Sequence, residues 1–166
     1  MKPLRLTAVI FVFLLFVYNG VQGQTPQPQI DPLKLMQQYA GTWQLTLNKD
    51  TAEVIESQLN GNIMIDHVYL VVKGTKLLSH VNLYCYSPAE KKFNGFTAIQ
   101  NGTYGTFTLS FESDNQSVVN VMQNFNPDQP VMKLEILYES PTIMIIKHFD
   151  ATGAKLSENR WTKIKY

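Results

Sequence analysis

The 166-residue sequence has one cysteine, Cys85, so no disulfide can form within the chain and the core alone must hold the fold. It lacks an excess of either charge: 14 Lys and Arg against 13 Asp and Glu leave a formal net charge of +1. A broad nucleic-acid footprint needs a strong basic excess to displace counterions from phosphates, so nucleic acid is not an expected partner. No lysine-rich block is present to hold an anionic membrane surface. The three histidines, His67, His80 and His148, stand on separate segments without HxH or HExxH spacing, which removes any local zinc signature. A Gly-x-Ser-x-Gly elbow, a phosphate-cradling glycine loop and a dinucleotide fingerprint are absent too. Asp66-His67 and Ser79-His80 are sequence neighbours, but adjacent residues of a strand point to opposite faces and cannot form a triad. No catalytic residue is indicated, and a binding protein is expected over an enzyme.

What is present begins with an N-terminal export pattern. Lys2 and Arg5 precede "LTAVIFVFLLFVY", an apolar run of about a dozen residues, shorter than the roughly 20 that a membrane span requires. The small residues Val21 and Gly23 suit cleavage between Gly23 and Gln24. Residues 1–23 are therefore expected to be a signal peptide and 24–30 ("QTPQPQI") a flexible spacer. The domain is expected over 31–166, exported and, in a bacterium, periplasmic or secreted, with no stable membrane insertion once the signal is removed.

Residues 31–166 suit one domain with a full core, since 45% of the whole sequence is hydrophobic. In "DPLKLMQQYAG", Asp31 can cap a short helix, Pro32 suits its first turn and Gly41 offers a stop. From Thr42 the pattern changes. Trp43, Leu45 and Leu47 alternate with polar residues, and runs of strand length succeed one another at spacings of about 8 to 12 residues. Strands are expected near 42–48, 53–59, 63–73, 76–86, 92–100, 103–112, 117–125, 131–139, 142–149 and 155–165. The segments between them carry Gly, Pro, Asn, Asp or Ser, as tight turns require. No interior helix supplies parallel crossovers, so neighbouring strands should be antiparallel. About ten such strands leave two open edges unless the sheet closes. The expected fold is thus all-β: an antiparallel up-and-down β-barrel preceded by a short N-terminal helix.

Alternation then selects an inner face. Leu45, Phe96, Phe107, Leu109, Met122, Leu134, Ile136 and Ile146 are candidates to line an interior site for a small apolar ligand. On one segment, His80, Asn82, Tyr84 and Tyr86 share a face opposite Val81, Leu83 and Cys85. Turned inward, that face and Tyr84 would add hydrogen-bonding groups to apolar walls, but its polarity favours the outward orientation. Cys85, with no neighbouring cation to activate it, is expected to be a small buried hydrophobe.

"YAGTWQL", "YSPAEKKFNGF" and "FDATGAKLSENRWTKIKY" occur in that order. Together with the strand meander they resemble the calycin superfamily of lipocalins, fatty-acid-binding proteins and nitrobindins. The likeness is nearest to a bacterial family of lipocalin-like domains of unknown function, although Ser87 stands where that family often has Asp. The resemblance implies that Trp43 closes one barrel end beneath a cationic side chain from the last strand. Arg160 is the expected cation, with Lys163 and Lys165 behind it. It also implies an alternative, haem held by His148 on the penultimate strand as in nitrobindins, or a small enzyme acting there. A third reading is a protein-interaction module using the outer face. On the leading reading no cofactor is implied.

Overall fold

The computed structural model describes residues 30–122 and 130–165. The signal peptide expected over 1–23, and all of the expected spacer except Ile30, lie outside the described residues. Among the described residues no helix is long and apolar enough to cross a membrane.

The chain enters through helix α1 (Pro32–Tyr39). Asp31 stays extended and its carboxylate accepts a hydrogen bond from the Lys34 amide at 3.2 Å, while Pro32 sits where no amide hydrogen is needed. The helix buries Met36 and Tyr39. The turn out of it depends on Gly41. Its φ is +122°, and a β-carbon there would lie 2.6 Å from the Lys165 carbonyl oxygen.

Ten strands come next: β1 (Gly41–Asn48), β2 (Thr51–Asn60), β3 (Ile63–Val72), β4 (Thr75–Ser87) and β5 (Lys92–Ile99), then β6 (Tyr104–Ser113), β7 (Gln116–Met122), β8 (Pro130–Ser140), β9 (Ile143–Asp150) and β10 (Lys155–Lys165). Each pairs antiparallel with the next, and β10 returns to pair with β1, closing the barrel. All ten expected strands are present; only 123–125, expected at the end of the seventh, lie outside the described residues. Closure leaves no unpaired sheet edge, which is why a meander of short hairpins is stable in this form.

The end of the barrel beside α1 is packed solid. Met36, Trp43, Met64, Phe93 and Met144 have no exposed surface there. The Trp43 indole Nε1 donates to the Tyr39 carbonyl at 2.8 Å, tying the first strand back to the helix. The cation over its ring is Lys163, with Nζ 4.9 Å from the centroid and donating to the Gln38 carbonyl at 2.8 Å. Arg160, the expected partner, instead lies on the outer surface and pairs with Glu139 at 2.7 Å. The reason is strand period: Trp161 and Lys163 share the inner face of β10, and Arg160, an odd number of residues away, faces out.

Two further expectations are corrected. Cys85 is exposed, and Phe96, placed opposite Leu83 in the β4–β5 register, also lies outside with 37% of its surface exposed. Both result from β4 being turned with His80, Asn82 and Tyr84 inward, the reverse of what face polarity favours. Two of these inward polar groups find partners across the interior. Thr97 Oγ1 donates to Asn82 Oδ1 at 2.6 Å, and Tyr84 Oη donates to Asp66 Oδ2 at 2.8 Å. A polar face that finds partners inside costs little to bury. The outer surface keeps Ile63, Leu83, Phe96 and Tyr104 exposed, with the last two rings stacked at 5.9 Å.

Candidate ligand cavity

Above the packed end the interior opens into a cavity of about 650 Å³. Of the residues expected to line an interior site, Tyr84, Phe107, Met122, Leu134, Ile136 and Ile146 stand on its wall. Leu45 and Leu109 also face inward, but both are buried in the core cluster and off the cavity wall. Phe96 is outside the barrel. The wall also holds Tyr39, Glu53, Thr97 and Trp161, which alternation along the sequence does not pick out. The strands of Glu53, Thr97 and Trp161 are legible, but which face looks inward is settled only by closure.

Gly95 makes room for one wall. It sits between Tyr84 and Phe107 in the cross-strand register, and a β-carbon there would overlap the Phe107 ring. That ring meets Tyr84 edge-on at 4.8 Å. Gly95→Ala should displace Phe107 and destabilise the protein by about 1–3 kcal/mol, read from the urea midpoint. An unchanged midpoint would show that the ring can move without cost.

The polar groups divide into two levels. Toward the mouth, Glu53 projects from β2 between Leu45 and Leu70, and burial raises its carboxyl above the usual range. His80 and His148 line the cavity on β4 and β9, and burial lowers both rings below the ordinary imidazole value. His148 Nδ1 shares a hydrogen bond with Ser157 Oγ at 3.0 Å, and His80 Nδ1 with Ser79 Oγ at 3.2 Å.

Behind the Tyr84 wall lies Asp66, with no exposed surface at all. Burial pushes its carboxyl up to about 6. Ser57, Tyr84 and Asn82 favour the charged form and offset part of that rise, yet Oδ1 lacks a well-formed hydrogen bond. Burial first, and then the Asp66 charge, pushes the Tyr39, Tyr84 and Tyr138 phenols well above 10, so all three stay neutral donors. Among the described residues no group of three or more His, Cys, Asp or Glu side chains is arranged to hold a metal ion.

A larger groove of about 1200 Å³ lies at the helix end, between the start of α1 and the β6–β7 turn. It borders Ile30, where the described residues begin, and shares no residue with the interior cavity. The interior site has the anatomy of small-molecule pockets: concave, mostly apolar walls with a few fixed polar groups.

Fold and cavity together define the class: a closed ten-stranded antiparallel β-barrel with a short helix before it and a hollow interior at one end. No protein-family model and no curated protein matches the chain.

Proposed function

We propose that this chain is an exported, lipocalin-like barrel that binds a small, largely apolar molecule in its interior. The observation that carries the reading is the cavity of about 650 Å³, walled by Phe107, Val119, Leu134, Ile136 and Ile146 and reached by few polar groups. That volume lies within the range of about 300–1,000 Å³ common to small-molecule sites. Trp43 with a cation from the last strand, and the helix running into Gly-Thr-Trp, support the lipocalin-like part of the proposal.

Trp161 stands on the cavity wall and reports on its contents. Octanol, a neutral apolar probe, should quench or shift its emission saturably. Ile136→Trp, which fills the cavity, should weaken octanol binding by about tenfold or more. A linear, unsaturable response in the unsubstituted protein overturns the proposal.

Haem is a second reading, favoured by His148 on the same wall with Nδ1 engaged by Ser157, which leaves Nε2 as the ring atom for a ligand. Haem titration should then give a Soret band that His148→Ala removes. Without such a band, haem is excluded and the apolar-ligand reading stands.

A further inference from the structure

If the cavity is the binding site proposed above, the charge balance of its wall bears on the chemistry of the ligand. Among the described wall residues, Glu53 is the one acidic side chain. Lys and Arg are absent from the described residues of that wall. Its two histidines, His80 and His148, are held toward the neutral form by burial. The Glu53 carboxylate has neither an ion-pair nor a hydrogen-bond partner among the described residues, and burial alone accounts for the upward shift of its pKa. Residues 123–129, "QNFNPDQ", contain one Asp and no Lys or Arg, so that stretch has no base to offer either. Asp66 adds a second carboxylate behind Tyr84, again without a base bonded to it.

A partly buried carboxylate without a partner is costly, and a cation brought in by a ligand relieves that cost. The remaining wall is suited to the same guest. Tyr39, Tyr84, Phe107 and Trp161 present aromatic rings to the cavity, and ring faces attract ammonium groups. Strand β1 separates Trp161 on β10 from Glu53 on β2, so an aromatic ring and the carboxylate approach one side of the cavity together. A ligand headed by a carboxylate would place a second anion against Glu53, with no Lys or Arg among the described wall residues to receive it.

We propose that the cavity selects an organic cation, a molecule with one ammonium group on an apolar body, with Glu53 as its counter-ion. Calorimetric titration of the protein at pH 7 with octylamine, octanol and octanoate tests this with chain length held constant. Octylamine should bind about tenfold more tightly than octanol, and octanoate more weakly than either. In Glu53→Gln the ratio of octylamine to octanol affinity should fall to about one. Equal affinities for octanol and octylamine, or an amine preference that survives Glu53→Gln, would overturn the cation selectivity and leave the apolar-cavity reading intact. Failure of all three probes to bind would overturn both. If Glu53→Gln fails to fold, the ranking in the unsubstituted protein still decides the cation selectivity. Glu53→Asp, which keeps the charge but draws it back from the cavity, should then lower the octylamine-to-octanol ratio if Glu53 is the counter-ion; an unchanged ratio would overturn that role.

Discussion

Trp43→Ala should destabilise the barrel by about 3–5 kcal/mol, the cost of deleting a large aromatic from a close-packed core. Trp43 has no exposed surface and stands within 6.5 Å of the Tyr39 and Tyr138 ring centroids. Its removal also takes the donor from the Tyr39 carbonyl and the ring from beneath Lys163. The helix and the last strand meet the rest of the barrel at this point, so the cavity left behind has rigid walls on all sides. Lys163→Met should cost about 1–2 kcal/mol, since it loses the cation over the ring and the bond to the Gln38 carbonyl. Arg160→Ala should cost less than about 1 kcal/mol, because its pair with Glu139 is solvent-exposed on both sides. Urea unfolding of the three variants orders them. A larger loss for Arg160→Ala than for Lys163→Met would overturn the assignment of the plug cation.

Asp66→Asn is expected to stabilise the protein at alkaline pH and to leave it nearly unchanged in acid. The folded carboxyl sits at about 6 against an ordinary value of 3.8. A raised acid contributes its stability fully below the unfolded value and loses it as pH rises through the folded one. The shift corresponds to about 3 kcal/mol, lost between roughly pH 4 and pH 7. Glu53 is shifted in the same direction, whereas His80 and His148, lowered by burial, contribute stability above 6.5 and lose it as pH falls through their folded values. Subtracting the variant's pH profile from that of the unsubstituted protein isolates Asp66. Asparagine keeps an acceptor for the Tyr84 hydroxyl and gains an amide donor for Ser57 Oγ, which lacks a well-formed partner. The variant should therefore be the more stable by about 2–3 kcal/mol at pH 8, and the difference should vanish near pH 4. A difference that is the same at both pH values would show that the buried carboxyl is not the titrating group.

The sequence carried the strand meander because each strand repeats its polarity every second residue and each turn has its own chemistry. Phe107 and Leu109, set against Thr106, Thr108 and Ser110, both face the interior. Where alternation is strong on one face only, inside and outside are readable. On β4 both faces were mixed, with His80, Asn82 and Tyr84 against Val81, Leu83 and Cys85. Hydropathy then misassigned the inner side, and Phe96, opposite Leu83, went with it. Tyr84 and Asn82 are acceptable inside because Asp66 and Thr97, from neighbouring strands, reach them. No local window contains that pairing.

By itself, the sequence determined a single helix capped by Asp31 and Pro32, ten strands in order, antiparallel pairing and a tryptophan at the start of the first strand. Those features depend on contacts between residues close in the chain and on the need to close exposed edges. Only the tertiary structure decided that Lys163 rather than Arg160 covers Trp43, that Glu53 and Asp66 face inward and that Cys85 and Phe96 face out. These outcomes depend on the register with which β10 meets β1 and on which polar groups meet across the interior. Both are set by closure of the whole barrel, which joins residues more than a hundred positions apart.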